Sequence, residues 1–134
     1  MKLMKKSFLG KISCLSVGFA IIMSLTVNAA VIGTSRATLS NTQTESTGDL
    51  VALWGTSGTG RLRVKSTNNS QIKAEAMRVE VNWFDTSLAS MTTSSNNWSS
   101  WSAPFNLSKV NVGYYVKVSG SKAATGQGEF EVSQ

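Results

Sequence analysis

From Val110 to Val118 every second residue is apolar or aromatic: Val110, Val112, Tyr114, Val116 and Val118 alternate with Asn111, Gly113, Tyr115 and Lys117. Successive side chains of a strand point to opposite faces, so a period of two fits a half-buried strand and no helix. The pattern recurs upstream. Arg61-Leu62-Arg63-Val64-Lys65 sets Leu62 and Val64 on one face and three cations on the other. Ile72, Ala74 and Ala76 are in phase, and Met77, Val79, Val81 and Trp83 continue one residue out of phase. Such a slip predicts a β-bulge or a strand that crosses between sheets. Glu129 to Val132, Leu50 to Trp54 and an edge segment Ala37 to Ser40 complete the set. Six or seven short strands in roughly 100 residues predict an all-β fold, a small antiparallel two-sheet β-sandwich, with a small β-barrel as the alternative.

Some pairings can be proposed from charge and turn chemistry. Setting the C-terminal strand beside Val110–Val118, with Val116 opposite Phe130, brings Lys117 next to Glu129, a favourable cross-strand pair. Asn68-Asn69 suits a hairpin turn into the Ile72 strand because asparagine tolerates positive φ. On that strand Glu75 and Glu80 would partly neutralise Arg61, Arg63 and Lys65. Thr86 to Ser102 differs from its surroundings, since Ser, Thr and Asn make up most of it. That composition predicts a long exposed connection holding at most a short edge strand, and long connections are often functional. Pro104, the single proline, is expected in a loop or at an edge.

The N-terminus carries a different signal. Lys2, Lys5, Lys6 and Lys11 precede an apolar run from Ile12 to Val27, followed by the small-residue step Val27-Asn28-Ala29. This is the three-part pattern of a secretory signal peptide, with cleavage expected after Ala29. A retained anchor would want about 20 apolar residues, whereas this run has 16 and is interrupted by Ser13, Ser16, Ser24 and Thr26. The expected division is therefore 1–29 leader and 30–134 a single secreted domain, with no integral membrane segment after cleavage. A lysine-rich leader ahead of a cysteine-free domain points to a bacterial source.

Cleavage changes the charge argument. Removing 29 of 134 residues leaves 105, and the net charge falls from +6 to +2 because four of the 13 cations go with the leader. That balance does not favour nucleic acid as a partner. The chain has no histidine, and its one cysteine, Cys14, lies in the leader. Ser-His-Asp and Cys-His catalysis are therefore closed to the domain, as is zinc held by nitrogen or sulfur. No cofactor or metal is expected.

Three motifs bear on function. Gly55-Thr56-Ser57-Gly58-Thr59-Gly60 has the glycine spacing of a phosphate loop, but Arg61 and Leu62 stand where lysine and a hydroxyl should follow, so a flexible connection is expected. Glu129 and Glu131 share a strand face and fit an exposed charged surface better than a glycosidase pair. Trp98-Ser99-Ser100-Trp101-Ser102 resembles the Trp-Ser-x-Trp-Ser box of cytokine receptors and the opening of thrombospondin type 1 repeats. Thrombospondin repeats need nearby cysteines, and cytokine receptors need a membrane anchor and a ladder of cations just upstream. Here the alternating cations Arg61, Arg63 and Lys65 lie far from the box in the chain, and no family is assigned.

An exposed tryptophan pair in a polar loop would offer flat apolar faces to sugar rings or to a membrane surface; a buried pair would plug the open end of the sandwich. The candidate ligand-binding residues are Trp98 and Trp101, the outward-facing Tyr115, and the basic stripe Arg61, Arg63 and Lys65. The expected function is that of a secreted, non-enzymatic β-domain binding cell-wall polysaccharide or another cell-surface or extracellular ligand. The alternative is a small bacteriocin-like antagonist acting on the envelope of other cells.

Overall fold

The computed structural model describes residues 29–134. The leader, up to its last residue, lies outside the described residues. Nine strands follow in order: β1 Val31–Leu39, β2 Glu45–Thr47, β3 Val51–Ala52, β4 Gly58–Ser66, β5 Ile72–Arg78, β6 Thr86–Thr93, β7 Phe105–Leu107, β8 Gly113–Gly120 and β9 Gly126–Ser133. They form two antiparallel sheets. The first has the order β1-β9-β4-β7, and the second runs β2-β8-β5-β6 with the short β3 also on β8. The sheets do not close into a barrel, so the barrel alternative is set aside. Nine strands replace the expected six or seven because β2 and β7 are only three residues long, too short for an alternation to show; the expected Leu50 to Trp54 strand is present but cut to Val51–Ala52.

The alternation reads true within each strand, although β8 begins at Gly113, so Val110 and Val112, expected in the core, lie before it and are only partly buried. Leu62 and Val64 of β4, Ile72, Ala74 and Ala76 of β5, Tyr114, Val116 and Val118 of β8, and Phe130 and Val132 of β9 are all fully buried between the sheets. Phe130 lies at their centre, stacked on Phe105 at 5.7 Å between ring centroids and meeting Tyr114 edge-on at 6.4 Å. The Tyr114 hydroxyl, carried into this apolar layer, donates to the carbonyl of Lys109, as a buried phenol requires. Gly128 lets the sheets approach: a Cβ there would sit 2.6 Å from Val118 Cγ2.

Strand pairing departs from expectation. β9 does not pair with β8; it lies between β1 and β4 in the opposite sheet. Either arrangement buries Phe130 and Val132, because both strands face one core, so inward alternation cannot choose between them. Lys117 accordingly meets Glu75 at 3.1 Å and not Glu129. Asn69 does adopt positive φ, at 60°, but its turn carries the chain from β4 in one sheet to β5 in the other. The slip at Ala76-Met77 is a bulge: Ala76 pairs with Ala89 and Met77 with Ser87, leaving Leu88 of β6 without a partner. β5 then stops at Arg78 and does not run to Phe84. The polar stretch expected to be mostly connection begins with an eight-residue edge strand, β6. One sheet neighbour and a half-exposed face suffice for it, so apolar content is a poor guide there.

Candidate functional site

Because Leu62, Val64 and Ser66 of β4 point inward, Arg61, Arg63 and Lys65 stand on the outer face of the first sheet. Register sets their partners. Arg63 is opposite Glu129, which is opposite Arg36 on the far side. Glu129 accepts from Arg63 Nε at 2.7 Å and from Arg36 Nε at 3.0 Å. Arg61 pairs with Glu131 in the neighbouring row. Glu75, on β5 of the other sheet, and Glu80, just past the end of that strand, do not neutralise this stripe as expected; they serve other cations.

The Trp98-Ser99-Ser100-Trp101-Ser102 segment runs along the edge of β4, where β7 pairs only with Gly58 to Gly60. Two of its three serines act alike. Ser99 N–H donates to the Val64 carbonyl at 2.9 Å, and Val64 N–H donates to Ser99 Oγ at 3.0 Å. Ser102 N–H donates to the Leu62 carbonyl at 2.8 Å, and Leu62 N–H donates to Ser102 Oγ at 2.9 Å. Each serine thus satisfies one donor and one acceptor of an otherwise open strand edge.

This double clasp lays both indoles over the basic stripe. Trp101 has the guanidinium of Arg61 at 5.2 Å and that of Arg63 at 4.4 Å from its ring centroid. Trp98 has Arg63 at 4.6 Å and the Lys65 ammonium at 4.9 Å. The result is a ladder in the order Arg61, Trp101, Arg63, Trp98, Lys65. Cations that lie far upstream in sequence are therefore adjacent in space. The tryptophans neither stand free in a loop nor plug the sandwich; they are half-buried on the outside of a sheet, with two cations over each ring. Beside Trp98 lies a depression of about 90 Å³, bordered by Arg36, Thr38, Gln127 and Glu129, well below the roughly 300–1,000 Å³ of ordinary ligand pockets.

Tyr115 stands apart from these five residues. It projects from the outer face of the second sheet, where its hydroxyl donates to Asp85 Oδ2 at 2.7 Å. Partial burial and this anionic partner push its pKa up to about 12.

A second surface escaped the sequence reading. Between β5 and β6, Val81 is 90% exposed, Trp83 84% and Phe84 99%. Their bases are firmly held. Asp85 Oδ1 accepts the Glu80 N–H at 3.0 Å while its other oxygen takes the Tyr115 hydroxyl. Glu80 Oε1 accepts from Arg78 at 2.8 Å and Thr86 at 2.9 Å, and Oε2 from Lys109 at 2.9 Å. Hydrogen bonds from Lys109, Arg78 and Thr86 lower the Glu80 pKa to about 2. Trp54, 70% exposed, lies at the same end of the sandwich, as do Leu50, Val31 and Ile32, since the end of β5 and the starts of β8, β4 and β1 meet there. The overlooked signal was the dipeptide Trp83-Phe84: two adjacent large aromatics cannot both face one core.

Among the described residues no cluster of His, Cys, Asp or Glu could hold a metal ion, and no helix is long and apolar enough to cross a membrane. The carboxylates of Glu75, Glu80, Glu129 and Glu131 are all engaged by cations.

No family model and no curated protein matches the chain. Among solved structures, the crystal structure of Yersinia pseudotuberculosis-derived mitogen (YPM) is similar at a TM-score of 0.44 and 11% sequence identity, over 79% of this chain and 86% of that one. A likeness of that size does not bear on function.

Proposed function

We propose that the chain is an exported, non-enzymatic β-sandwich that binds at the surface of cells, and that it makes contact through its aromatic end. The observation that carries this reading is the exposure of Val81, Trp83, Phe84 and Trp54 at one end of the molecule. Large aromatic side chains left in water are costly, and several of them exposed at one end of a small domain mark a contact surface. The ladder face, by contrast, has its indole rings covered by cations. We assign Trp98, Trp101, Arg61 and Arg63 chiefly to closing the β4 edge. Lys65, the one cation of the ladder with no carboxylate partner among the described residues, and Arg36 give this face a mild positive character suited to anionic envelope polymers as a secondary contact.

The test is cosedimentation with isolated cell envelopes. Trp83→Ser combined with Phe84→Ser should abolish it with the melting temperature unchanged, while Trp98→Phe should retain it. Loss with Trp98→Phe and retention in the double variant would return the contact to the ladder face and overturn this assignment. Turnover of an envelope polysaccharide that stops with Glu131→Gln would overturn the non-enzymatic reading.

A further inference from the structure

Four consecutive residues, Val81, Asn82, Trp83 and Phe84, project with almost no cover, yet the residues on either side are bound in place. Besides the hydrogen bonds made by Glu80 and Asp85, Val79 N–H donates to the Gly113 carbonyl at 2.9 Å. A loop that merely linked two strands would not need this many polar anchors at its base. The base of the finger is therefore held in place, which limits the conformational entropy lost when the finger is ordered on contact.

Resting on the surface assigned above, we propose that the occupant is a lipid bilayer, into whose interfacial layer Trp83 and Phe84 insert. Two features favour lipid over a protein partner. The first is area. The projecting part of this surface is small: Trp83 and Phe84 offer roughly 150–250 Å² each, so the finger by itself falls well short of the ~800 Å² per partner that a stable protein interface buries. Side chains as fully exposed as Trp83 and Phe84 can enter a soft layer, and with Val81 and Asn82 they border only an open depression. The second is chemistry. Tryptophan concentrates at the membrane–water boundary, where its apolar body and polar N–H are both accommodated. The collar around the finger is electrically balanced, with Arg78 and Lys109 against Glu80 and Asp85. Attachment should accordingly depend on apolar insertion and not on anionic lipid, which a basic patch would require.

The experiment uses the purified protein and vesicles of phosphatidylcholine, alone or with added phosphatidylglycerol. Equal sedimentation with both, unchanged at high salt, is the expected result. Trp83→Ser with Phe84→Ser should lower partitioning by about ten-fold or more, in line with the apolar area removed, and should leave the circular dichroism spectrum and melt intact. Brominated lipid should quench the fluorescence of the native protein, and Trp83→Phe should remove most of that quenching while Trp98→Phe leaves it. Binding that requires phosphatidylglycerol and disappears with salt would overturn the proposal, as would undiminished binding by the double variant. No vesicle binding, with envelope binding still lost in the double variant, would overturn the lipid partner and leave the aromatic end as the contact surface for a protein.

Discussion

Arg63 bears more weight than any other side chain on the outer face. It lies between both indoles and holds one side of Glu129, whose side chain is 11% exposed. Replacing it with alanine leaves that carboxylate to Arg36 alone and removes two ring contacts. Arg63→Ala is expected to cost about 2–4 kcal/mol, part of the usual penalty for breaking a buried pair because the guanidinium itself is partly solvated. Arg61→Ala, with one ring and one carboxylate to lose, should cost less. Trp98→Ala and Trp101→Ala should each cost about 1–3 kcal/mol, since exposed to half-exposed cation–π contacts contribute about 0.5–2 kcal/mol each. A tryptophan filling the core would cost about 3–5 kcal/mol. A double-mutant cycle of Arg63→Ala with Trp101→Ala, read by denaturant unfolding, should return a coupling of about 0.5–2 kcal/mol. Zero coupling would mean that the ladder contributes nothing as a unit. Ser99→Ala and Ser102→Ala each strip an acceptor from a β4 N–H, for about 0.5–1.5 kcal/mol apiece.

At the level of the element, β8 and the β5–β6 hairpin make the clearest tests. Val116 is fully buried and Lys117, one residue along, faces outward. Val116→Asp should prevent folding by burying an unpaired charge, whereas Lys117→Ala leaves Glu75 with Lys73 and should cost within about 1 kcal/mol. The hairpin base predicts a pH dependence. Glu80 titrates at about 2 in the folded chain against an ordinary 4.5, so its stabilisation is complete above 4.5 and is lost as the pH falls from there toward 2. Glu75 acts in the same direction: burial opposes its ionisation, but hydrogen bonds from Lys73 and Lys117 outweigh that and hold its pKa down. At the alkaline end the Tyr115 phenol is raised from 10 to about 12, so its contribution is present below 10 and is lost as the pH climbs toward 12. Melts across pH should show both flanks, Glu80→Gln flattening the acid one and Tyr115→Phe the alkaline one. Unchanged flanks in those variants would show that the polar collar is not what clamps the finger.

For the whole molecule, two packed sheets without a helix among the described residues predict a β-type circular dichroism spectrum and a cooperative melt. For a domain of this size each kcal/mol moves the midpoint by roughly 4–8 °C, so the substitutions above are readily resolved. If the chain is exported as its leader implies, N-terminal sequencing of the secreted form should begin at Ala30, and the melt should then ignore reductant, because the only cysteine is Cys14. Finding the full-length chain only in membranes would overturn cleavage.

Facing is legible in the sequence, and adjacency is not. Leu62, Val64, Val116 and Phe130 can be assigned inward, and Arg61 and Lys117 outward, because the two-residue period of a strand is a local property of the backbone. The Ala76-Met77 irregularity and the positive φ of Asn69 are local too, and both appear as expected. Which strand lies beside which is a different matter. β8 and β9 could have formed a hairpin with equal burial; instead β9 lies between β1 and β4, and Gly128 lets it approach Val118 of β8 across the core. The same gap hid the ladder, whose cations and indoles lie far apart in the chain yet meet face to face across a strand edge. It hid the finger as well, since Val79, Val81 and Trp83 keep strand period while strand β5 ends at Arg78 and the last bond to β8 is the one from Val79 N–H to the Gly113 carbonyl. Local steric rules write themselves into neighbouring residues. Packing and pairing are settled by contacts between residues far apart in the chain, and no short-range pattern records them.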